Sequence, residues 1–526
     1  MLTGADKFKR LFEEYKDRPL LLYGDPDVDG LYSLFLMAKF AEMMGIKNYV
    51  HFVNEKRRHN WSIPAEKLKG YLVISADFTI PKEVLQELVD NDVVVLASDH
   101  HELDVPDEFI ELKSEKTGAE AIFISNQYSF EPEEKRYLSG AGVFYELICA
   151  IYPQFECPLY KALVGITLLS DIRRTDNDEA KEYLKATYTL PPSEPYAKYL
   201  LSSFPENKWS SFGEPKLSRV FIEFKLCPVI NALLRFDMLH EAEEFILGRG
   251  LKDKSRHQAQ KDMINIILSQ NNETDYGRVI LLAIQDSEFR HSFPYADPTN
   301  FIGIIGNALR DKKNKSVLGI VLKDGKIIRA SFRGLYSTVG YRDSFNRNIT
   351  NIKAVGHPAA FGIVDADEVT ESEQAFNTFI ELVETIVENL EDEYESKNSG
   401  YKIIELNRMF IGNTQELLRN IAIENIYLNP EYRTYVKYTG SSYIINKTTY
   451  KTKVLTKEEL ETGVKPDDIK NNTVFLKDAY GNKIPKYIEY LVEGRTVKSY
   501  GVPIESGYIE PFMGDSGLEF NIVNIK

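Results

Sequence analysis

Five short apolar segments alternate with helix-like segments over the first 130 or so residues, and this alternation constrains the fold more than any other feature of the sequence. The strand-like segments are residues 19–24, 48–55, 71–78, 92–101 and 119–125. Helical patterns over residues 30–45 and 81–91 separate some of them. Because strands that alternate with helices usually form a parallel sheet with helices on both faces, the sequence predicts an α/β fold here.

The first predicted strand ends in the sequence YGDPDVDG, which carries Asp25, Asp27 and Asp29 on alternate positions. Carboxylates this close repel one another unless a cation lies among them. An EF-hand calcium loop would need Glu at its twelfth position, where this sequence has Leu36. An acidic turn that only caps the next helix is the other reading of this motif taken alone. A ligand site at the carboxyl end of a strand is typical of open α/β sheets.

Acids and histidines also follow two other predicted strands and one apolar helix. They are Asp77 after the third strand, Asp99, His100 and His101 after the fourth, and Asp171 after the helical segment 161–170. Parallel strands bring their carboxyl ends to one edge of the sheet, so we expect these side chains to converge. Carboxylates with an imidazole suit Mn²⁺ or Mg²⁺, and the nitrogen ligand favours Mn²⁺.

The length of 526 residues predicts roughly three domains. We expect a metal-binding domain over residues 1–238, a long connecting helix over 239–275 and a second, smaller α/β domain over 276–398. Residues 399–526 are rich in Tyr, Val, Thr and Ile with frequent turns, which predicts a β-rich, OB-like domain.

Composition restricts the location and the partners of the chain. The net charge of −15 argues against a general nucleic-acid coat protein, but not against a nuclease whose site is built of carboxylates. The sequence has no apolar run of about 18 residues, and its charged N-terminus lacks a signal core. Three scattered cysteines suggest a reducing compartment. We therefore expect a cytoplasmic protein that binds no membrane and is a monomer.

The order of these motifs resembles the DHH phosphoesterase superfamily. The sequence DPDVDG, then Asp77, then DHH at residues 99–101, then Asp171 resembles the four motifs of that superfamily. The sequence SGAGVFYEL at 139–147 is similar to a Gly-rich helix of RecJ-type members. Residues 301–334 and VGHPAAFG at 355–362 resemble the DHH-associated domain. The resemblance covers most of the chain. The last 100 or so residues match only in the order of their segments and in their β-rich composition.

The resemblance implies a RecJ-type exonuclease that degrades single-stranded DNA from its 5′ end, with roles in DNA repair or recombination. It places Asp25, Asp27, Asp29, Asp77, His100 and Asp171 on metal-ligand positions. It places His101 against the substrate phosphate, and Asp99 would hold a histidine tautomer from outside the ligand set. Two ions about 3.5–4 Å apart could share one carboxylate, activate water and clamp the phosphate. Asp77 is the bridging candidate, and Asp25, Asp77 and His101 are the predicted catalytic residues.

Two groups of residues are predicted to contact nucleic acid. Arg333, Gly356 and His357 fall on motifs of the second domain. In the other reading His357 is a structural turn residue and Arg333 pairs with a surface acid. The basic loop around Arg57 and Arg58 could hold phosphates, and Trp61 could stack on a base, although a solvated loop is an equal alternative.

Other functions remain open at this stage. Tyr23 replaces a ligand histidine of pyrophosphatase-type members, which argues against that branch. An oligoribonuclease or cyclic-dinucleotide phosphodiesterase of the same superfamily is the nearest alternative, and an inactive DNA-binding scaffold is a second. A single-strand-binding protein or a helicase would be a natural partner. The roles of Arg173 and Arg174, next to Asp171, stay open.

Overall fold

The chain forms two compact units in a computed structural model. The first unit contains residues 1–171 and 220–399, and the second contains residues 172–219 and 400–526. The structure describes residues 3–53, 61–101, 109–125, 137–173, 175–204, 217–250, 255–270, 272–336, 339–364, 372–397, 402–405, 414–428, 433–439, 443–446, 451–454, 475–477, 483–485, 488–492, 495–499, 506–514 and 517–523.

The first sheet is mainly parallel, which confirms the predicted α/β class. Its strands are β1 (Leu20–Gly24), β2 (Tyr49–Val53), β3 (Leu72–Ala76), β4 (Val94–Asp99), β5 (Phe109–Lys113) and β6 (Glu120–Ser125), in the order β2-β1-β3-β4-β6-β5. Only the edge strand β5, which the sequence did not predict, pairs antiparallel. Every residue of β1, β3, β4 and β6 is buried. Burial on both faces explains why these strands are continuous apolar runs in the sequence.

Helices connect these strands and cover the sheet. They are α1 (Ala5–Tyr15), α2 (Val28–Met43), α3 (Lys82–Asp90), α4 (Gly140–Ile151) and α5 (Pro158–Ser170). The chain moves from β1 to β2 in one direction along the sheet and from β3 to β4 in the other. Right-handed crossovers therefore place α2 and α3 on opposite faces. Helices α2, α4 and α5 pack against one another.

The region predicted as one connecting helix contains two helices. After α6 (Asp178–Thr189), α7 (Pro195–Ser202), α8 (Arg219–Phe221), a π-helical turn (Ile222–Leu226) and α9 (Cys227–Arg235) come α10 (Leu239–Ile246) and α11 (Ser255–Ser269). Gly248 and Gly250 follow α10 with φ of 84° and 97°. Glycine adopts these left-handed angles at low cost and ends helices there, so the single helix predicted over 239–275 is corrected to a pair.

The second sheet also lies in the first unit. Its strands are β7 (Glu273–Tyr276), β8 (Val279–Gln285), β9 (Ser316–Lys323), β10 (Lys326–Arg333), β11 (Lys353–His357) and β12 (Ala360–Val364), in the order β11-β12-β10-β9-β8-β7. Its helices are α12 (Asp286–Ser292), α13 (Pro298–Lys313), α14 (Tyr341–Asn348) and α15 (Glu373–Lys397). One face of the sheet packs on α14 and α15, and the other packs on α11 and α13. This region is therefore a second α/β layer structure.

The second unit is β-rich in its C-terminal part. Its elements there are β13 (Lys402–Glu405), α16 (Thr414–Asn425), β14 (Thr434–Thr439), β15 (Tyr443–Asn446), β16 (Lys451–Val454), β17 (Phe475–Lys477), β18 (Lys483–Pro485), β19 (Ile488–Val492), β20 (Arg495–Ser499), β21 (Ser506–Gly514) and β22 (Gly517–Val523). Eight of these strands form one sheet in the order β13-β14-β21-β22-β20-β19-β15-β16. An OB-like barrel stays a prediction. Over the described residues, no helix combines the length and the apolar character needed to cross a bilayer.

Candidate metal centre

The acids predicted to converge lie at the carboxyl edge of the first sheet. Asp25 directly follows β1, Asp77 follows β3, and Asp99 ends β4, with His100 as the next residue. All four side chains are buried. The three strands are consecutive neighbours in the order β1-β3-β4, so their carboxyl ends meet at one place.

Asp77 has the most constrained conformation of this group. Its φ is 61°, in the left-handed region that non-glycine residues seldom adopt. Its backbone N–H donates to the Ser98 carbonyl at 3.1 Å. Both carboxylate oxygens are buried, and among the described residues no group donates a hydrogen bond to either of them. Burial first, and then Asp29 and the neighbouring acids, raise the pKa of Asp77 well above its usual range. A bound cation would satisfy these oxygens.

His100 connects Asp77 with two further acids. Its Nε2 lies 3.1 Å from Asp77 Oδ1, 3.2 Å from Asp171 Oδ2 and 3.9 Å from Asp29 Oδ2. Asp171 reaches this point because it caps the C-terminus of α5. The side chains of Asp29, His100 and Asp171 form one group that could hold a metal ion, and Asp77, Asp99, His100 and His101 form another.

The N-terminus of α4 holds Asp29. The Gly140 N–H donates to Asp29 Oδ2 at 2.6 Å, and the Ala141 N–H donates to Oδ1 at 3.0 Å. Burial and Asp27 raise the pKa of Asp29 to about 7, although the two amides oppose this shift. Sequence reasoning noted the segment SGAG but missed that its amides bind an acid of the first motif. The signal was present, because glycines at a helix start expose backbone N–H groups.

The first motif forms a tight turn into α2. Asp27 caps this helix, because its Oδ1 accepts a hydrogen bond from the Gly30 N–H at 2.8 Å. A Cβ atom on Gly30 would lie 2.2 Å from the Asp25 carbonyl oxygen, so only glycine fits there. Leu36 is buried within α2. The motif is therefore a strand-to-helix turn, and the helix-capping and metal-binding readings of it are compatible.

Asp99 orients both histidines that follow it. Its Oδ1 accepts from the His100 backbone N–H at 2.7 Å and lies 2.8 Å from His101 Nδ1. Its Oδ2 accepts from the hydroxyl of Thr79, a contact that sequence reasoning missed because nothing marks this threonine. Burial opposes a charge on His101, but Asp99 and the nearby acids outweigh it and raise the pKa of His101 to about 10. Asp99 therefore favours the charged form of the His101 imidazole at this edge of the sheet.

The second sheet contributes a third histidine to the same place. The His357 ring lies 6.5 Å from the His100 ring and 6.2 Å from the His101 ring, measured between centroids. His357 ends β11, and Gly356 before it has a φ of 129°, which favours glycine. The turn predicted to contact nucleic acid thus lies beside the predicted metal ligands.

Arg333 packs against α13. Its Nε donates to the Gly303 carbonyl at 3.2 Å, and its Nη1 donates to the Phe332 carbonyl at 2.7 Å. A Cβ atom on Gly303 would lie 2.1 Å from Nη2, so this glycine makes room for the guanidinium. These contacts give Arg333 a structural anchor on α13, and its nucleic-acid role stays a prediction.

The predicted stacking residue Trp61 has a packing partner inside the protein. Its ring stacks on buried Tyr23 with centroids 4.5 Å apart, and its indole N–H donates to the Ile63 carbonyl at 2.6 Å. Arg57, Arg58 and Arg174 lie outside the described residues. Arg173 belongs to the second unit. Nothing in the described geometry assigns these arginines a role.

Residues 19–170 match the family model described as "DHH family, N-terminal domain". This range holds the first aspartate motif, Asp77 and the DHH triplet, and Asp171 follows it directly. Residues 19–170 therefore form a domain similar to the N-terminal domain of the DHH family. No curated protein matches its sequence.

Solved structures with the same fold extend this result beyond the DHH domain. The crystal structure of RecJ with Mn²⁺ from Thermus thermophilus matches 100% of this chain and 72% of that protein, with a TM-score of 0.64 and 16% identity. The Mg²⁺ complex of RecJ from the same organism matches 99% and 70%, with a TM-score of 0.59 and 14% identity. A manganese-bound exonuclease RecJ matches 74% and 95%, with a TM-score of 0.50 and 18% identity. This chain therefore has the fold of these RecJ structures.

Proposed function

We propose that this DHH protein is an exonuclease that hydrolyses single-stranded DNA in the 5′→3′ direction and depends on Mn²⁺ or Mg²⁺. The observation that carries the proposal is the Asp77 carboxylate, whose oxygens are buried without hydrogen-bond donors among the described residues and face His100. A folded protein keeps such a group charged only if a cation compensates it. The RecJ-type fold and the Mn²⁺ and Mg²⁺ complexes of the RecJ structures support the choice of reaction and of ion.

The donor set fits two hard divalent ions. We assign Asp25, Asp27, Asp29, Asp77, His100 and Asp171 as the candidate ligands, with Asp77 as the shared carboxylate. Oxygen donors with one imidazole suit Mn²⁺ and Mg²⁺. When bound, such ions supply Lewis-acid activation of water and of a phosphodiester. No serine or cysteine side chain is required as a nucleophile.

The side chains around the ligands have separate tasks in this proposal. Asp99 holds His101 as a cation, and His101 binds a non-bridging oxygen of the scissile phosphate. His357 approaches from the second sheet, 6.2 Å from His101 between ring centroids, and closes the site over the substrate. A cation beside the reacting phosphate stabilises the charge that develops during in-line attack.

The test uses a charge-removing variant of the central acid. The protein is incubated with Mn²⁺ and DNA or RNA strands labelled at either the 5′ or the 3′ end. We expect mononucleotides from the 5′ end of DNA, and a loss of at least about 100-fold in Asp77→Asn. Asp324→Asn is the matched control, because Asp324 also has a positive φ, 51°, but lies in the turn between β9 and β10.

Other outcomes would replace the proposal. If long strands stay intact and only two- to five-residue oligomers or cyclic dinucleotides are cleaved, the protein is a small-nucleotide phosphodiesterase of the same superfamily. Release from the 3′ end would overturn the direction. Binding of single-stranded DNA without metal-dependent turnover would make the chain an inactive scaffold.

A further inference from the structure

The strand that carries His357 lies at the edge of its sheet. In the order β11-β12-β10, β12 is the one strand among the described residues that pairs with β11. Alternate residues of an edge strand point their N–H and C=O groups away from the sheet, where those groups need other partners. An edge strand without such partners is poorly fixed, and its last residue here is one of the three clustered histidines.

Helix α14 supplies the missing partners. Asn346 accepts from the Ala354 N–H at 2.7 Å and donates to the Ala354 carbonyl at 3.0 Å. Arg342 Nη1 donates to the Gly356 carbonyl at 2.7 Å, and the Arg342 backbone N–H donates to the Pro358 carbonyl at 2.9 Å. The helix thus bonds the outer edge of β11 on both sides of Val355, as a neighbouring strand would, and continues into the turn that holds His357.

Helix α14 itself is firmly anchored in the core. Phe345 is fully buried against Phe332 and Phe361, with ring centroids 5.0 and 5.1 Å away. The Tyr341 hydroxyl donates to Glu391 Oε1 at 2.9 Å. Because α14 is fixed in the core, its hydrogen bonds to β11 hold this edge strand in place relative to the core.

The Arg342 guanidinium is also oriented from its own helix. Its Nε donates to Asp343 Oδ1 at 2.8 Å, and its Nη2 lies 2.7 Å from the same oxygen. The Arg342 side chain is only 16% exposed, so its bond to Gly356 is shielded from water. Charge-assisted hydrogen bonds of this kind are the stronger ones in proteins.

We propose that Arg342 is a positioning residue that fixes the turn from Gly356 to Pro358 and so sets His357 against His100 and His101. The inference rests on the proposed function, because it assigns His357 a task in turnover. The two bonds from Arg342 to Gly356 and Pro358 flank His357 on both sides. The effect of Arg342 on the reaction therefore passes through His357.

The test is a double-mutant cycle on the full chain with single-stranded DNA and Mn²⁺. We expect Arg342→Ala to lower kcat about 10- to 100-fold, as a displacement of about 1 Å in a catalytic group can do. His357→Ala should lower kcat by at least as much. The double variant should be no slower than His357→Ala alone, because Arg342 acts only through that histidine.

Two further readouts separate positioning from general destabilisation. Added guanidinium ion at millimolar concentration should restore part of the activity of Arg342→Ala and none of that of His357→Ala. Mn²⁺ affinity, measured by calorimetry without substrate, should be unchanged in both variants. Arg347→Ala is the matched control on the same helix, because the exposed Arg347 donates only to the Asp343 carbonyl among the bonds described for it, and its kcat should equal that of wild type.

Three results would overturn the inference. They are multiplicative losses in the double variant, an equal loss in Arg347→Ala, and an unchanged kcat in Arg342→Ala. Failure of the proposed function looks different, because wild type itself would then show no metal-dependent hydrolysis. Arg342→Ala must be folded for the cycle to count, and circular dichroism melting establishes that before the kinetics are measured.

Discussion

At the scale of single residues, one carboxylate and one glycine define the metal centre. Asp77 takes a left-handed φ of 61°, and α4 begins directly above it. A Cβ atom on Gly140 would lie 2.3 Å from Asp77 Cβ, while the Gly140 N–H donates to Asp29. Strained backbone of this kind persists where the surrounding structure enforces it, and it concentrates at functional sites. Gly140 therefore serves two acids of the site at once.

Substitution of Gly140 by Ala should disrupt the site while the fold persists. We expect the added methyl group to displace Asp77, to cost about 1–3 kcal/mol of the free energy of unfolding, and to weaken Mn²⁺ binding at least about 10-fold. Gly142→Ala is the control two residues along the same helix, since its Cβ atom would meet only side chains, the nearest at 3.2 Å. Calorimetric Mn²⁺ titration measures both. Equal Mn²⁺ affinities in the two variants would contradict this account.

Residue types at strand ends could be read from the sequence, but their local geometry could not. The spacing of Asp77, Asp99 and His100 placed them after predicted strands, and the structure puts them there. The left-handed φ of Asp77 depends on contacts with Ser98 and Gly140, which are distant in sequence. Arg342 was missed for the same reason, because its task depends on a strand edge formed by tertiary pairing.

At the scale of elements, strong periodic patterns predicted the strands and most helices, and local chain breaks were missed. The buried strands of the first sheet are nearly continuous apolar runs, so their burial on both faces could be predicted from the sequence. The edge strand β5 carries charged residues and gave no such signal. The break between α10 and α11 follows two glycines with positive φ. The helical pattern of charged and apolar residues around them led to the prediction of one continuous helix.

The buried Glu391 connects α15 to Ser316 and Tyr341, and it should make the stability of the protein depend on pH. Its Oε1 accepts from the hydroxyls of Ser316 and Tyr341 at 2.6 and 2.9 Å. Burial outweighs these donors and raises the pKa of Glu391 above its usual 4.5. The folded state then retains a proton that the unfolded state loses, so stability falls as pH rises from about 4.5 through the raised pKa. Below that window the protonated group causes no such loss.

Substitution of Glu391 by Gln should remove this part of the pH dependence. We expect the variant to gain stability relative to wild type as pH rises through the window, because the amide never has to ionise in the core. Urea unfolding at a series of pH values, read as the difference between variant and wild type, measures the gain. Glu388→Gln on the exposed face of the same helix is the control. A difference that does not vary with pH would refute the argument.

At the scale of the whole molecule, two compact units should respond differently to metal. All candidate ligands lie in the unit formed by residues 1–171 and 220–399. Like charges are concentrated there, since Asp29, Asp27 and Asp171 all raise the pKa of Asp77 after burial does. A ligand that binds only the folded state stabilises it by about 2.7 kcal/mol at 100 times its Kd. That gain should appear in one unit only.

Differential scanning calorimetry can separate the two responses, because units that unfold independently give separate transitions. We expect Mn²⁺ to raise the Tm of one transition by a few degrees and to leave the other unchanged. Asp77→Asn should abolish this shift. It should also raise the Tm of the same transition without metal, since the amide replaces a carboxyl group whose ionisation burial and the neighbouring acids oppose, and asparagine tolerates a positive φ. Asp324→Asn should behave as wild type. If Mn²⁺ shifts both transitions equally, or shifts Asp77→Asn as much as wild type, the ions bind elsewhere. The low stability of the buried acids would then not be a consequence of metal binding at this site.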